Sequence, residues 1–484
     1  MKMYRTSILV ASILTSLFAL PSWADLEGLT QISVDTSVNP GSDTTVQHKT
    51  EVDPSQFAFG ETIVTTFQDG EIADWNGASQ VGWSTSHDGG KTWRHGYIPG
   101  TSSYYWVQVV SFDLKHHTWL IIMVAQDMVA TDSNYLNPTE MQVSRSYDGV
   151  HWSTPSPVYG PIAYNGWVNR PWVACDNNIF SPHFGNCYIA WNDLNFDTGA
   201  STNDVSTSPD GGITWGAPAV SPDQTAGSIG GVAIQPNGHL FLIGGYGGPD
   251  LPQLYSIESA DGGKTLNQSI YITTEYFNYA GQGNMRDDPF PSAGVSFDGM
   301  IYVVTPDCRF RTNCTPGQNI GSANDIVYTT SKDGVNWTPI TRIPIDGINS
   351  NIDHFIAGVA VRGSIANLWG DDSRDGLAVN YYYLTDAATC DPTVATTPCR
   401  LYAGFISSSD GGRSWSAPTR VFGPMNILDL AVTAFGYFVA NDITSIYVEG
   451  RPQAVYSLAR PPDPQTGLLN QAIYSARFTQ GPDW

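Results

Sequence analysis

One short motif recurs six times along this chain of 484 residues, and it constrains the fold more than any other feature. Its full form is Ser86-His87-Asp88-Gly89-Gly90-Lys91-Thr92-Trp93, which returns at 208–215 and 408–415 and, with Leu266 in place of the tryptophan, at 259–266. Two copies, at 146–152 and 331–337, are one residue shorter. The aspartates lie at 88, 148, 210, 261, 333 and 410, so the spacings are 60, 62, 51, 72 and 77. This period predicts a series of similar units rather than two or three unrelated domains.

Each copy has the composition of a tight turn between two antiparallel strands. Asp88 is able to accept hydrogen bonds from nearby backbone N–H groups, and Gly89 and Gly90 adopt positive φ at little cost. Trp93 is the first large apolar residue of the following strand, and we expect it to pack beneath its own turn. We interpret the repeated aspartates as structural, because a calcium loop needs acidic ligands at alternate positions.

The pattern Ser-x-Asp-Gly-(Gly)-x-(Thr/Ser)-Trp resembles the Asp-box, or bacterial neuraminidase repeat. The chain is similar, from Ser86 to Trp415, to the sialidase-like Asp-box β-propeller superfamily. The resemblance implies an all-β fold, a single β-propeller of four-stranded blades in which each box is the turn between strands three and four. Because the spacings suit a four-stranded blade with loops, we expect one propeller over residues 25–484.

The strand pattern is clearest around the third box, and it predicts strands at 169–174, 187–191, 204–208 and 217–221. After the last box, we expect a further blade without a box, from strands at 436–440, 444–449, 453–458 and 472–478. The count is then seven blades, with six as the alternative if these strands only complete the first blade. An N-terminal strand near 31–38 would help to close the ring. Sustained helical periodicity is absent.

The first 24 residues have the pattern of a secretory signal peptide. Lys2 and Arg5 precede an apolar run from Ile8 to Leu20, and small residues at Ser22 and Ala24 predict cleavage after Ala24. No later stretch is as long and apolar as a membrane-spanning helix. We therefore expect a secreted or periplasmic protein without membrane insertion, and a monomer.

The charge of the chain excludes several classes of partner. The formal charge of −23 becomes −25 after the signal peptide, because two of the 22 basic residues are removed and all 45 acidic residues remain. Such a surface repels nucleic acid and anionic membranes. An anionic ligand would need locally concentrated arginine.

The six cysteines fall into three close pairs, which in an exported protein predict three local disulfides. Zinc is the rival interpretation, but none of the pairs has the spacing of a zinc site, so we expect no metal and no cofactor. The pairs are Cys175 with Cys187, Cys308 with Cys314, and Cys390 with Cys399.

In a four-stranded blade, the turns between strands three and four lie on one face of the disc. Binding is therefore expected on the opposite face, where the segments between blades lead into the central channel. These segments are rich in aromatic, acidic and arginine residues, which suits a carbohydrate ligand. The candidate substrate-binding residues are Trp167, Asn169, Arg170, Tyr279, Arg286 and His354.

Glycoside hydrolysis needs two carboxyl groups on either side of the bond that is cleaved. Asp287 and Asp288 are adjacent, so in a strand they would point to opposite faces. A better pair combines one of them with Asp353 from the next blade. Each of the three also suits a structural role in a turn or crossover.

The sialidase resemblance implies an arginine triad, an early Arg-Ile-Pro motif, a tyrosine nucleophile and an aspartate acid/base. Arg342-Ile343-Pro344 follows the fifth box instead of preceding the first, and no arginine lies between the signal peptide and the first box. Tyr456, in 454–458, resembles the setting of the sialidase tyrosine and is a further catalytic candidate.

Two functions fit these patterns. The first is an exported, sialidase-like glycoside hydrolase that acts on an exposed polysaccharide or glycoconjugate; a polysaccharide lyase with Tyr279 or His354 as the base is a variant. The second is a non-catalytic propeller that binds a glycan or a protein through the same face. The sequence leaves open whether the chain is an enzyme.

Overall fold

The computed structural model describes residues 25–35, 46–72, 77–101, 104–126, 139–223, 227–245, 253–277, 284–312, 314, 323–362, 375–385, 390–391 and 399–479. This part of the chain is all-β. Its single short helix is a 3₁₀ turn at Ile427–Asp429. Among the described residues, no helix is long and apolar enough to cross a membrane.

The strands are organised in antiparallel groups of four. Four groups are separate sheets, in the strand order of the chain. Their strands are β10 (Gly166–Cys175), β11 (Cys187–Asn195), β12 (Ala200–Ser208) and β13 (Ala219–Val220); β14 (Ser228–Ile234), β15 (Leu240–Gly245), β16 (Gln253–Ser259) and β17 (Ile270–Thr274); β18 (Ser292–Val295), β19 (Ile301–Asp307), β20 (Asp325–Ser331) and β21 (Thr341–Arg342); and β22 (Asp353–Val361), β23 (Leu377–Thr385), β24 (Arg400–Ser408) and β25 (Thr419–Asn426).

A twelve-stranded sheet contains the remaining groups. Two of them are β2 (Val46–Phe59), β3 (Thr62–Ile72), β4 (Ala78–Ser86) and β5 (Arg94–Tyr97), and β6 (Tyr104–Asp113), β7 (Thr118–Gln126), β8 (Thr139–Ser146) and β9 (Ser156–Tyr159). The last group is β28 (Ser445–Val448), β29 (Arg451–Arg460) and β30 (Asn470–Phe478), to which β1 (Leu26–Gln31) adds as the fourth strand. One pair of residues joins each two neighbouring groups in the strand ladder: Ala78 of β4 pairs with Tyr105 of β6, and Thr50 of β2 pairs with Gln471 of β30. A separate hairpin consists of β26 (Ala431–Thr433) and β27 (Gly436–Phe438).

Packing between neighbouring sheets explains the long apolar run in the second strand β7. In β7, Trp119 to Val124 are all buried, because both faces of this strand are covered. Two of the outer strands, β13 and β21, have only two residues each, which limits the exposed strand edge there.

The first strands of the groups surround one cavity of about 250 Å³. Each first strand contacts the next in the order β2, β6, β10, β14, β18, β22 and β28, and β28 contacts β2. The arrangement is that expected of a propeller.

The six repeated turns connect the third and fourth strands of their groups, as predicted. In the first, the Asp88 carboxylate accepts hydrogen bonds from the backbone N–H groups of Lys91 (3.1 Å) and Thr92 (2.9 Å) and from the Thr92 hydroxyl (2.6 Å). The Trp93 ring nitrogen donates to the Gly90 carbonyl at 3.1 Å. The equivalent carboxylates at 148, 210, 261, 333 and 410 accept the same kind of bonds. Each aspartate therefore stabilises its own turn.

Two strand predictions are corrected, and the disulfide prediction is confirmed. The N-terminal strand is Leu26–Gln31, and residues 32–35 of the strand predicted at 31–38 lie outside it, while 36–38 are not among the described residues. The predicted strand at 436–440 belongs to the β26–β27 hairpin, so the last group begins at Ser445 and takes its fourth strand from the N-terminus. The three cysteine pairs are disulfide-bonded as predicted. The signal peptide lies outside the described residues.

Candidate functional site

Irregular backbone occurs where several first strands begin. In β2, β6, β10 and β22, a bulge interrupts the pairing with the second strand. Each bulge contains one non-glycine residue with positive φ: Asp53 (57°), Val107 (39°), Arg170 (54°) and Ile356 (46°). Such conformations cost of order 1–3 kcal/mol each and are concentrated at functional sites.

These four residues define the bulge rim of the cavity. The residues that follow each bulge line the cavity. First and third strands of a group run in the same direction, so the third strands end away from the bulge rim. The repeated turns, which follow the third strands, therefore lie on the side opposite to the bulge rim.

Arg170 forms an ion pair with Asp442 across the bulge rim. The Arg170 side chain is 3% exposed and that of Asp442 is 19% exposed. The guanidinium carbon of Arg170 lies 3.5 Å from the centre of the Phe290 ring. The Nε and Nη1 atoms of Arg170 have no hydrogen-bond partner among the described residues. The guanidinium group is thus buried between the Asp442 carboxyl group and the Phe290 ring.

A second arginine lies beside the first. The Nε atom of Arg286 is 3.7 Å from Asp288 Oδ2, and the Arg286 backbone N–H donates to the Tyr437 carbonyl at 2.9 Å. The Arg286 guanidinium lies over the rings of Phe435 (5.4 Å) and Phe438 (4.7 Å). Phe438 is buried, but Phe435, at the tip of the β26–β27 hairpin, is 58% exposed. Phe435 offers an aromatic face next to charged groups.

Two buried acids complete the site. Asp53 accepts hydrogen bonds from the backbone N–H of Asn441 (2.6 Å) and from Gln68 Nε2 (2.9 Å). Glu71 accepts one from the Gly77 N–H at 3.0 Å. We call Asp53, Glu71, Arg170, Arg286, Asp288 and Asp442 the Arg170 cluster.

Burial dominates the electrostatics of the Arg170 cluster. It raises the pKa of Asp442 to about 7, although Arg170 favours the ionised form; Asp53 and Asp288 raise this pKa further. Burial also raises the pKa of Glu71 to about 8, against the effect of Arg286. A carboxyl group with a pKa near 7 is suited to donate a proton at neutral pH.

Asp288 and Asp442 are the most exposed acids of the Arg170 cluster. The Asp288 side chain is 30% exposed, compared with 19% for Asp442. Both interact electrostatically with Arg286 or Arg170, and with each other. The arrangement thus brings together two carboxyl groups, two guanidinium groups and an exposed aromatic ring.

The structure separates Asp353 from this cluster. Asp353 Oδ1 accepts hydrogen bonds from the Asn324 backbone N–H (2.6 Å) and from Asn324 Nδ2 (3.1 Å). Its electrostatic neighbours are Arg311 and Asp325, and burial raises its pKa to about 7. The pairing of Asp353 with Asp287 or Asp288 is therefore not supported by the contacts of these residues.

His354 belongs to the same buried group as Asp353. Its Nδ1 lies 3.2 Å from the Asn324 carbonyl and its Nε2 lies 3.9 Å from Asp346 Oδ2. Burial lowers its pKa. His354 is 1% exposed, so a role as a base on a large substrate does not fit this position.

Ligand atoms of Asp325, Asp346 and His354 lie within 4.8 Å of one another, which is the spacing of a metal site. However, Arg311 Nη2 lies 2.7 Å and Arg342 Nη2 2.9 Å from Asp325 Oδ1. The two guanidinium groups already supply the positive charge that these carboxylates need, so the residue set does not favour a cation.

Tyr456, the predicted tyrosine nucleophile, lies in the core of the fold. Its side chain is fully buried, its hydroxyl donates to the Gly404 carbonyl at 2.8 Å, and its ring packs edge-on against Tyr382. Burial raises its pKa well above the usual range, which opposes formation of a phenolate nucleophile.

The other predicted residues have mixed positions. Asp287 is buried, 5% exposed, next to Asp288. Asn169 precedes Arg170 in β10 and is half-buried. Trp167, also in β10, packs edge-on against Phe196, with the ring centres 5.1 Å apart. Tyr279 lies outside the described residues.

Sequence reasoning missed Asp53, Glu71, Phe435 and Asp442. A signal for one of them was present: Asp53-Pro54 and Arg170-Pro171 occupy equivalent bulges at the start of first strands. Asp442 was missed because the first strand of the last group was predicted at 436–440. The first strand of that group is β28, and Asp442 lies shortly before it.

Comparisons with known proteins give structural similarity alone. No protein-family model matches the chain, and no curated protein matches its sequence. Similar solved structures include a Hadza microbial sialidase, with 12% identity over 86% of this chain and 76% of that chain and a TM-score of 0.47. A GH93 α-L-arabinofuranosidase of Fusarium graminearum has 13% identity over 90% of this chain and 95% of that chain, with a TM-score of 0.43.

The endosialidase of phage phi92 has 13% identity over 94% of this chain and 69% of that chain, with a TM-score of 0.47. A protein of unknown function from Dyadobacter fermentans has 18% identity over 79% of this chain and the whole of that chain, with a TM-score of 0.46. At these values the similarities assign neither a family nor an activity to the chain.

Proposed function

We propose that the chain is an exported, seven-bladed propeller that acts on glycans as a glycoside hydrolase at the Arg170 cluster. The observation that carries this proposal is the meeting of two carboxyl groups, Asp288 and Asp442, with two arginines and the exposed ring of Phe435 at one rim of the cavity. Residues 25–484 would form one domain, with the first strands as the inner strands of the blades. The three disulfides support export.

The roles follow from the surroundings of each group. Asp442 would donate a proton to the leaving oxygen, because burial raises its pKa to about 7. Asp288, the more exposed acid, would serve as the base or nucleophile. The bond to be cleaved would lie between these two carboxyl groups.

Arg170 and Arg286 would orient the substrate, and Phe435 would stack against a sugar ring. The strongly negative charge of the whole chain makes a local pair of arginines the best place for an anionic or polar group of the ligand. A monomer suffices for this role, because all of these groups come from one chain.

A non-catalytic glycan-binding propeller is the second candidate. It is favoured by the ion pair of Arg170 with Asp442, which ties one proposed catalytic group into the scaffold. The lyase variant has less support, because His354 is buried in a separate cluster.

Hydrolysis of a glycan panel distinguishes the two candidates. Purified protein from residue 25 onward would be incubated with sialosides and with neutral and acidic polysaccharides, and new reducing ends would be measured. We expect one substrate class to be cleaved, and Asp442→Asn and Asp288→Asn each to lower kcat by roughly 10²- to 10⁴-fold.

The matched control is Glu61→Gln, which replaces an exposed acid in the turn between β2 and β3, on the opposite side. It should leave kcat unchanged. If the panel binds the protein but no substrate is cleaved, the binding propeller is the better proposal. If wild type cleaves and both aspartate variants retain its rate, the site assignment fails.

A further inference from the structure

Asp53 is bonded to the chain segment that carries Asp442. The Asp53 backbone N–H donates to the Val439 carbonyl at 3.0 Å. Asp53 Oδ1 accepts from the Asn441 backbone N–H at 2.6 Å, and Oδ2 accepts from Asn441 Nδ2 at 3.1 Å. Since Asn441 is directly followed by Asp442, these bonds fix the backbone from which the Asp442 side chain extends.

The opposite side of Asp53 is held by two glutamines. Gln68 Nε2, on β3, donates to Asp53 Oδ2 at 2.9 Å, and Gln108 Nε2, on β6, donates to the Asp53 carbonyl at 2.7 Å. Asp53 is 5% exposed and has a φ of 57°, directly before Pro54. Bonds from several elements thus maintain a backbone conformation that is unfavourable for a non-glycine residue.

The hydrogen-bond donors around this position suit an aspartate. Both carboxylate oxygens accept hydrogen bonds, from Asn441 and from Gln68. In an asparagine, an NH₂ group replaces one of these oxygens. If it replaces Oδ2, its N–H donors face the donors Asn441 Nδ2 and Gln68 Nε2. A carboxylate, whose two oxygens both accept hydrogen bonds, therefore suits these donors.

We propose that Asp53 is a positioning residue for Asp442, which it holds against Arg170 through Asn441. This inference rests on the proposed role of Asp442 as proton donor. Asp53 also acts through its charge, because a second buried carboxylate favours the neutral form of its neighbour. The charged groups that interact with Asp442 are Arg170 from β10, Asp288 from the segment before β18 and Asp53 from β2.

The test is the Asp53→Asn variant, which removes the charge and keeps the size of the side chain. We expect kcat to fall by roughly 10- to 100-fold with little change in KM, because Asp442 is misplaced while the remaining contacts with substrate persist. Loss of the Asp53 charge lowers the pKa of Asp442, whereas movement of Asp442 away from Arg170 raises it, so we expect a pKa that differs from that of wild type. The alkaline limb of the activity profile should move in the same direction as this pKa.

The pKa of Asp442 is measurable without a substrate. Spectra of protein with ¹³C-labelled aspartate would be recorded as a function of pH, and the Asp442 resonance would be assigned by its loss in Asp442→Asn. A shift in Asp53→Asn in a protein that hydrolyses nothing would uphold the positioning of Asp442 and refute the proposed hydrolase.

Gln68→Leu is the second variant, and it removes one bond to Asp53 while the charge stays. We expect a smaller loss of kcat and an unchanged pKa of Asp442. If both variants lower thermal stability and activity alike, and the Asp442 titration is that of wild type in each, Asp53 only stabilises the fold and the proposal is overturned. Should Asp53→Asn not fold, an upward or downward shift of the Asp442 titration in Gln68→Leu would also overturn it.

Discussion

Arg170 and Asp442 are 272 residues apart in the chain, yet they form an ion pair at the rim of the central cavity. Arg170 belongs to β10, in the third group of strands, and Asp442 precedes β28, in the last group. The pair is mostly buried, and two nitrogen atoms of Arg170 remain without a hydrogen-bond partner among the described residues. The pair therefore joins distant parts of the chain at the rim of the cavity.

Replacement of Arg170 by methionine should be strongly destabilising. The change leaves the Asp442 carboxyl group buried without its cation, and breaking such a pair costs about 3–5 kcal/mol. The pKa of Asp442 should rise further, because the group that favours its ionised form is lost. Urea unfolding measures the first effect, and the ¹³C titration of aspartate measures the second.

The control for this variant is Arg451→Met. Arg451 lies 3.6 Å from Glu27, and their side chains are 55% and 41% exposed. Loss of an exposed pair of this kind changes the free energy of unfolding by less than about 1 kcal/mol. Equal destabilisation by the two variants would show that the buried pair contributes no more than a surface one.

Hydrolysis should decline as the pH rises through about 7. The proposed donor Asp442 must be protonated, and burial raises its pKa to about 7, so the active fraction falls above that value. The profile of kcat/KM against pH measures this limb. A rate that stays constant from pH 6 to pH 9 would exclude Asp442 as the proton donor.

The stability of the fold should increase when the pH is lowered from 8.5 to 5.5. The folded protein holds protons on acids with raised pKa, whereas the unfolded chain releases them near pH 4, so stability falls as the pH rises between these values. Among these acids are Glu71, with a pKa of about 8, and Asp69, Asp204, Asp353 and Asp442, each with a pKa of about 7. Calorimetry should give a higher Tm at pH 5.5 than at pH 8.5, and the reverse order would contradict these shifts.

Below pH 4 the repeated turns should reverse this trend. Hydrogen bonds lower the pKa of Asp333, mainly those from Asn336, to about 2, so the stability that this carboxylate contributes is present above pH 4 and is lost as the pH falls towards 2. Asp261 also has a pKa of about 2. The Tm should therefore pass through a maximum between pH 4 and pH 6 in the same calorimetric series.

The sequence predicted the sheet organisation well because its signals are local. Each repeated turn contains its own hydrogen-bond donors and acceptors within eight residues, as in Ser86 to Trp93, and each cysteine pair closes a short loop. Such features depend little on the remainder of the chain. The strand at 187–191 was likewise indicated by its uninterrupted apolar residues.

The candidate site was less predictable because it is assembled from distant segments. Arg170 and Arg286 were identified from the sequence, but their acidic partners depend on how the last group of strands meets the first. A misplaced strand at 436–440 concealed Asp442. Burial, which sets the pKa values of Glu71 and Asp442, is a property of the assembled sheets and has no local signature.

Asp88→Ala should destabilise the fold without affecting the site. The change removes an acceptor of two backbone N–H groups and two hydroxyls, and bonds to a charged acceptor contribute about 1.5–3 kcal/mol. Asp88→Asn, which keeps one acceptor oxygen, should lose less. Urea unfolding and the hydrolysis assay would be run on the same samples. A loss of kcat without a loss of stability would mean that the turn has a role in function.

Tyr456→Phe separates a packing role from a catalytic one. The variant leaves the Gly404 carbonyl without its hydroxyl donor and should cost about 1–3 kcal/mol of unfolding free energy. We expect kcat per folded molecule to remain that of wild type, because the side chain is fully buried. A drop of kcat by 100-fold or more with normal stability would restore Tyr456 as a catalytic candidate.

Phe435→Ala tests whether the exposed ring binds a sugar. Because the ring is 58% exposed in the free protein, its loss should leave Tm nearly unchanged, while KM rises roughly 3- to 10-fold as stacking worth about 0.5–1.5 kcal/mol disappears. The rate kcat should change little, since the ring would bind substrate and transition state alike. Phe297→Ala, 67% exposed in the turn between β18 and β19 on the opposite side, is the matched control and should leave both constants unaltered. Equal effects of the two variants would mean that Phe435 is only a surface residue, and sugar binding would then have to depend on other side chains of the rim.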